Sequence, residues 1–202
     1  MKHEIWCPLE DMKKERLWYA IVVRDRHGKV VSRERRKSHS FLKQWNQLVY
    51  VQMAQTPQTI MDIGGTPRVI ASHNYNLWAI ASAGQTVCGI CVGTGNTPVA
   101  IDDFQLETQI AEGVGGGQME HLICTVGLSV VAAPSCYFVV PRTIANNSGG
   151  IITVREAAIY VKAGLWPAPG YTSCVVRDVL VAPQAVPNGG AITIDWTIGV
   201  TV

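Results

Sequence analysis

The last third of the chain consists of strand-like runs separated by turn residues, and this pattern restricts the fold more than any other feature. Three β-rich runs cover residues 151–161, 174–180 and 191–202, and a Pro-Asn-Gly-Gly turn at 187–190 precedes the last one. A strand as long as the last run needs neighbours for its backbone amides, so we expect it to be paired within a sheet. It places its large apolar residues in one alternation phase, as a strand with one face in a core does: Ile192, Ile194, Trp196, Ile198 and Val200.

Shorter strand-like runs recur through the rest of the chain. Together they predict a mainly β protein folded as a β-sandwich, with a jelly-roll-like arrangement as one form of it. An N-terminal β-hairpin is predicted over 17–33, with its turn near His27 and Gly28, and a second hairpin over 59–71. Longer strands are predicted over 119–131 and 136–144.

One main helix is predicted over residues 41–54. Its apolar stripe combines Phe41, Trp45, Leu48, Val49 and Gln52. A stripe of this kind usually packs against a sheet, although a docking face is the alternative. We therefore expect a single β-sandwich domain over 1–202, with the hairpin and helix of residues 1–56 as a candidate docking arm.

Charge is distributed unevenly along the chain. Residues 1–45 hold 12 Lys and Arg against 6 Asp and Glu, a net charge of +6, whereas the other 157 residues hold 5 against 9, a net charge of −4. The basic excess centres on residues 33–37, a run that is short for a nucleic-acid surface and lacks the aromatic or hydroxyl groups such a surface needs. A solvated edge strand is favoured, a contact with an acidic neighbouring subunit is the alternative, and nucleic acid is not expected as a partner.

The chain shows no apolar stretch of the roughly 20 residues that span a membrane, and its first residues do not resemble a signal peptide. We therefore expect no membrane partner and synthesis in a reducing cytoplasm. The spacing of Cys88 and Cys91 can serve a zinc or redox site. In a strand, however, these two side chains point to opposite faces, which favours buried, reduced thiols.

Two small polar groups have both a chemical and a structural interpretation. Asp102, Asp103 and Glu107 carry enough oxygen to hold a cation such as calcium, but the ligand loop of an EF-hand is missing. His121 stands beside Glu120 in a predicted strand and is interpreted as half of a surface pair rather than as a base.

Opposite charges at adjacent positions occur on two of the late strands, as Arg155-Glu156 and as Arg177-Asp178. We interpret both as structural ion pairs at a sheet face or an interface. No nucleophile elbow accompanies Ser135. The sequence therefore predicts no enzyme, and no catalytic, cofactor-binding or metal-binding residue is assigned and no cofactor is expected.

Five short sequence motifs, which we call phrases, occur in an order that resembles a family of uncharacterised structural proteins of tailed bacteriophages. The family patterns are GIVVGTGTTPV, DY.LE, ITVREVGLYV, ARDVL and VPNGxxLTVTYTIxV, and this chain matches them in turn at 89–99, 102–107, 151–160, 177–180 and 186–202. The resemblance covers roughly residues 15–202, and the order and spacing are more specific than any single phrase. Cys88, Cys91 and the long loop at 166–170 depart from the pattern.

The resemblance implies a non-enzymatic building block of a virion, on the capsid surface, at the head–tail junction or along the tail. Its partners would be itself, as a homo-oligomer, and other virion proteins, and it would be made in the host bacterial cytoplasm. The candidate interfaces are the basic hairpin at 24–37 and the glycine-rich loop at 113–118. The alternative is a carbohydrate-binding or adhesin-like module, which needs a cleft lined by Trp or Tyr; Trp166 and Tyr171 are the candidates.

Overall fold

The computed structural model describes residues 16–38, 41–54, 56–72, 76–128, 130–133, 135–163 and 170–201. The described residues are mainly β, as predicted, and their one helix is too short and too polar to cross a membrane. In chain order the elements are β1 (Arg16–Arg24), β2 (Val30–Lys37), α1 (Lys43–Ala54), β3 (Gln58–Met61), β4 (Pro67–Ile70), β5 (Gly89–Gly93), β6 (Glu120–Cys124), β7 (Val130–Ala132), β8 (Ser135–Asn146), β9 (Ile152–Ala163), β10 (Tyr171–Val186) and β11 (Gly190–Thr201).

The strands form two main layers and a separate hairpin. One layer is a six-stranded sheet in the order β2-β1-β11-β8-β6, with β7 also paired to β8, and the other is a three-stranded sheet in the order β10-β9-β5. Side chains from both layers share one buried cluster, which includes Ile21 and Trp196 from the larger sheet and Ile159 and Val175 from the smaller. This packing of two sheets confirms the predicted sandwich.

A single long ribbon, bent once, links the two layers. The β8–β11 ladder ends at the pair Asn146–Gly190, and the β9–β10 ladder resumes at the pair Ile152–Val186. Asn146 is fully buried at the bend, where its Nδ2 donates to the carbonyls of Gly150 at 2.8 Å and Val186 at 2.7 Å. The ribbon therefore crosses from one sheet to the other as the strands of a jelly roll do.

The predicted placement of the last strand is confirmed. β11 lies inside the six-stranded sheet, with β1 on one side and β8 on the other. Its residues Ile192, Ile194 and Trp196 are fully buried, and Ile198 packs against the same core. The side chain of Val200 lies outside the described residues.

Both predicted hairpins form. The β1–β2 turn is held by the Asp25 carboxylate, which accepts the backbone N–H groups of His27 and Lys29, and Gly28 supplies the positive φ of +78°. β3 and β4 form the second hairpin. Because β1 is an interior strand of the larger sheet, only β2 presents an open edge of the N-terminal hairpin.

The helix is confirmed, but part of its predicted stripe was wrong. α1 begins at Lys43, after Phe41, which instead forms a bridge with Val176 on β10. Among the helix side chains that the structure describes, Gln44, Leu48 and Val51 are buried, while Trp45 and Val49 are only partly buried. The side chain of Gln52, also in the predicted stripe, lies outside the described residues. The helix packs against β10 and β3, so the expectation of a core-packing helix holds.

Candidate functional site

Four of the five phrases that carry the resemblance meet at one buried arginine on β10. The Arg177 residue is 2% exposed, and its Nε donates to Glu156 Oε2 at 3.0 Å and its Nη1 to Asp103 Oδ2 at 2.7 Å. Its Nη2 donates to the Thr97 carbonyl at 3.2 Å and lies 3.9 Å from Glu107 Oε2. We call Asp103, Glu107, Glu156 and Arg177 the Arg177 cluster.

Backbone N–H groups complete the solvation of the carboxylates in this cluster. Glu156 is 0% exposed and accepts three of them: Gly95 at 3.1 Å, Glu107 at 3.1 Å and Thr108 at 2.8 Å. Glu107 accepts two more, Asn96 at 2.6 Å and Thr97 at 2.8 Å. Three carboxylates around one guanidinium would otherwise repel one another. The donors to Glu156 replace the water that its burial removes, whereas Glu107 is exposed and keeps access to water as well.

Hydrogen bonds also shift the pKa values of Glu107 and Arg177. The backbone N–H of Thr97, followed by its hydroxyl and the N–H of Asn96, lowers the pKa of Glu107. Burial alone would lower the pKa of Arg177, but its hydrogen bonds to Asp103 and Glu156 outweigh that effect and raise it. The guanidinium therefore stays charged in the interior.

Gly95 lets the backbone approach these carboxylates closely. A Cβ atom at this position would lie 2.5 Å from both Glu107 Cβ and Glu156 Oε1. Those distances are well inside van der Waals contact, so any other residue here would displace the carboxylates. The second glycine of the GTG phrase is thus explained by the packing around the Arg177 cluster.

This geometry shows what the charged residues singled out in the sequence contact. Asp103 and Glu107, which carry enough oxygen for a cation but were not assigned as metal ligands, lie against the Arg177 guanidinium, and Asp102 is exposed. The ion pair runs across β9 and β10 between Glu156 and Arg177, and the 94–108 loop covers and buries it. Within the described residues, no group of three or more His, Cys, Asp or Glu side chains is arranged to hold a metal.

Asp178, the sequence neighbour of Arg177, points elsewhere. Its carboxylate accepts a hydrogen bond from the Ser38 hydroxyl, which lies just after β2. The adjacent charges of the RDVL phrase therefore serve two separate contacts on opposite faces of β10. Arg155, beside Glu156, is partly exposed.

A second buried arginine, on β8, was missed by sequence reasoning. Arg142 is 1% exposed, and its partners among the described residues are backbone carbonyls. Its guanidinium donates to Ile90 O at 2.7 Å, Gln85 O at 2.7 Å, Leu122 O at 2.8 Å, Cys88 O at 3.2 Å and Ser82 O at 3.5 Å. One signal was available, because Val140, Arg142 and Ile144 share an alternation phase whose apolar members are in the core.

His121 was predicted to form a surface pair with Glu120, and this was wrong. Its ring is buried, and Nδ1 lies 2.9 Å from Glu112 Oε2, which also accepts the His121 backbone N–H at 2.8 Å. Glu120 accepts instead from Asn147 Nδ2 at 2.5 Å. Burial, reinforced by the nearby charge of Arg142, lowers the pKa of His121, and the bond to Glu112 only partly opposes that shift.

The two cysteines of the CxxC spacing face different buried clusters, as predicted. Cys88 belongs to the main core, whereas Cys91 packs with Tyr160 and Cys174 in a second cluster. Burial raises the pKa of Cys91 to about 12, and it also raises the pKa of Cys88. Both thiols are therefore protonated at neutral pH and are weak nucleophiles.

The two predicted interface segments are both exposed. On β2, Arg33 and Lys37 are exposed and Arg35 lies over the Trp18 ring at 5.2 Å from its centroid, whereas Glu34 points inward to Gln184 Nε2 at 2.8 Å. β2 thus presents basic side chains along the outer edge of the larger sheet, which we call the basic edge. In the glycine-rich loop at 113–118, Gln118 Oε1 accepts the Gly115 N–H at 3.0 Å.

A cleft of about 360 Å³ lies between the basic edge and β10. Its lining includes Trp18, Arg35, Arg36, Lys37 and Asp178. Tyr171, one of the two aromatic residues predicted for a sugar cleft, is not in this lining and packs under Arg68 at 4.5 Å. Trp166, the other, lies outside the described residues.

No known protein family, no curated protein and no solved structure matches this chain. The features that bear on function are therefore those of the molecule itself: two buried arginine centres, a cleft, and the open edges of the larger sheet.

Proposed function

We propose that the protein is a non-enzymatic structural component of a tailed-phage virion, on the capsid surface, at the head–tail junction or in the tail. In this role it is made in the host bacterial cytoplasm and assembles with copies of itself and with other virion proteins. The observation that carries the proposal is the ordered set of five phrases, which spans most of the chain and resembles one family of phage structural proteins.

The geometry of the phrases supports a structural role for them. Glu156 and Arg177 are closed off from solvent and are satisfied by backbone groups and by each other. Perturbed charged groups that do chemistry typically line a cleft where a substrate can reach them. The phrase residues instead hold the 94–108 loop against β9 and β10, and this supports a role in stabilising the fold.

Particle composition tests the proposal. Virions released by bacteria that carry the gene would be purified on a density gradient, and peptides of this protein quantified against the major capsid protein. We expect co-sedimentation and a fixed copy ratio across independent preparations. Recovery of the protein only in the soluble fraction of the lysate would contradict a virion role.

The cleft beside the basic edge favours carbohydrate binding as a second candidate function. Trp18 offers an aromatic surface, and Arg36, Lys37 and Asp178 bring polar groups to the same space. Glycan-array binding that is lost in Trp18→Ala and kept in Tyr171→Ala, which lies outside the cleft, would support it. An array with no binding above background would remove this candidate.

A further inference from the structure

The larger sheet has a second open edge, next to β8, whose side chains are apolar and exposed. It consists of residues 125–128 and 130–132, which we call the apolar edge. Its large side chains are Val126, Leu128, Val130 and Val131, with Leu128 91% and Val131 81% exposed. The twenty residues from 122 to 141 contain no Asp, Glu, Lys or Arg.

The backbone of this edge is paired on one side only. Thr125 N–H donates to the Pro141 carbonyl at 3.4 Å and Gly127 N–H to the Val139 carbonyl at 2.8 Å, so both point toward β8. The alternation of an antiparallel ladder then turns the N–H groups of Val126 and Leu128 outward. Neither forms a backbone hydrogen bond with another described residue.

An unpaired edge of this composition is a template for another strand. Native sheets usually protect their edges with charged residues, proline or a covering segment. The basic edge at the opposite side of the same sheet is protected in this way, since Arg33, Arg35, Arg36 and Lys37 lie along it. The apolar edge carries no charge and, within its described residues, no proline.

We propose that the apolar edge pairs with the same edge of a second copy of this chain, antiparallel about a two-fold axis. The two six-stranded sheets then become one continuous sheet. The contact itself is independent of the proposed function, and only its role in virion assembly rests on that proposal. A two-fold contact pairs residue i of one copy with residue j of the other and j with i, so the same segment lies on both sides of the contact. An uncharged segment meets itself there without the repulsion that the basic edge would suffer.

The same composition argues against a charged partner at this edge. An acidic or basic peptide would find no ion-pair partner between residues 122 and 141. A second apolar edge offers carbonyl acceptors to the outward N–H groups of Val126 and Leu128, and it places apolar side chains beside the exposed ones. Strand addition at a sheet edge is a common mode of recognition and gains its affinity from such main-chain bonds.

The experiment compares the oligomeric state of the full chain with that of edge variants, by sedimentation velocity over a range of concentrations. We expect the unmodified protein to be a concentration-dependent dimer. Leu128→Lys should weaken dimerisation by roughly a hundredfold or more, because the two-fold symmetry then brings one lysine from each copy into the same short contact. Leu128→Glu should do the same, and an equimolar mixture of the two variants should recover the dimer as a heterodimer.

A backbone variant tests the strand pairing itself. Val126→Pro removes an outward N–H and leaves the bonds to β8 in place, so it should fold and remain monomeric. Val31→Lys is the matched control, because Val31 is 51% exposed on the basic edge, and it should dimerise like the unmodified protein. Thermal melts of every variant confirm that each is folded.

A monomeric unmodified protein would overturn the inference, as would open-ended oligomers or dimers that persist in both Leu128→Lys and Val126→Pro. The charge-swap mixture keeps the test decisive, because recovery of a dimer requires two folded variants. The outcome is separable from that of the proposed function. If the protein is found in virions but is monomeric, only the apolar-edge contact is contradicted. If it is a dimer but is absent from virions, only the virion role is contradicted.

Discussion

Two arginines of nearly equal burial are accommodated in this molecule in opposite ways. Arg177 is surrounded by the carboxylates of Asp103, Glu107 and Glu156, whereas the partners of Arg142 among the described residues are backbone carbonyls. The first arrangement balances charge with charge, and the second balances a charge with dipoles. Burial alone therefore does not determine which groups stabilise an arginine's charge. The stabilities of the two centres should respond differently to mutation and to pH.

The largest effect is expected from Arg177→Met. Removing the guanidinium leaves Glu156 buried without its counter-charge, and breaking a buried pair in this way typically costs about 3–5 kcal/mol of unfolding free energy. Urea unfolding followed by circular dichroism measures it. The control is Arg155→Met on β9, where a partly exposed arginine should cost no more than about 0.5 kcal/mol; equal losses would break the comparison.

Arg142→Met should be the milder of the two arginine substitutions. It leaves carbonyl dipoles without a donor but no uncompensated charge, and unsatisfied buried acceptors cost about 1–3 kcal/mol. The same urea titration compares the two variants directly. A loss larger than that of Arg177→Met would mean that the carbonyl centre is the more important one.

Gly95→Ala should destabilise the Arg177 cluster without removing any charge. The added methyl would meet Glu107 and Glu156, and overpacking of this kind costs about 1–3 kcal/mol. Gly116→Ala is the matched control, because no atom lies within 4 Å of its added Cβ. Thermal unfolding of the two variants separates close packing from a general intolerance of alanine in loops, and equal melting temperatures would refute the explanation of the GTG glycine.

The two arginine centres should also lose their contributions to folding stability in different pH ranges. The folded-state pKa of Glu107 is lowered, so its contribution is present above its unfolded pKa of roughly 4.3 and is lost as the pH falls through the folded value. Asp62, which holds the β3–β4 turn and pairs with Arg68, also has a lowered pKa despite its partial burial. Stability should therefore decline below about pH 4, and Glu107→Gln should reduce that decline.

The smallest effect concerns His121, beside the Arg142 centre. Because burial lowers its folded-state pKa, the unfolded chain binds the extra proton first, and stability falls as the pH drops below roughly 6.5 toward the folded value. We expect a shallow loss as the pH falls below about 6.5 that is absent in His121→Asn. A slope unchanged by this substitution would assign the loss to another group.

Much of the fold could be predicted because its signals are local. The alternation of Ile192, Ile194 and Trp196 identifies a strand with one core face, and Asp25 with Gly28 identifies a tight turn. These patterns depend only on neighbouring residues, so they survive the absence of any tertiary information.

The remaining features depend on contacts between distant segments. The predicted strand over 119–131 forms as β6 and β7, and between them Thr125 and Gly127 keep only single backbone bonds to β8, where a regular ladder is lost. His121 contacts Glu112 because of the path of a loop, and the periodicity of the sequence does not predict that contact. Leu42 donates its N–H to the Val175 carbonyl, and that bond to β10 delays the start of the helix to Lys43.

The candidate site was only partly visible from the sequence for the same reason. The phrase residues of the Arg177 cluster could be singled out, but their meeting depends on how the 94–108 loop folds over β9 and β10. The ion pair was predicted between positions that are adjacent in sequence, whereas Arg177 finds Glu156 across a strand pair.

A double-mutant cycle between Glu156 and Arg177 tests most directly whether the phrases encode a buried charge network. The unfolding free energies of Glu156→Gln, Arg177→Met and the double variant would be measured in urea. Because the two side chains share one buried interaction, the double variant should lose less than the sum of the single losses, with a coupling energy of about 2–3 kcal/mol. Additive losses would contradict the account, because the pair would then contribute nothing beyond its separate members.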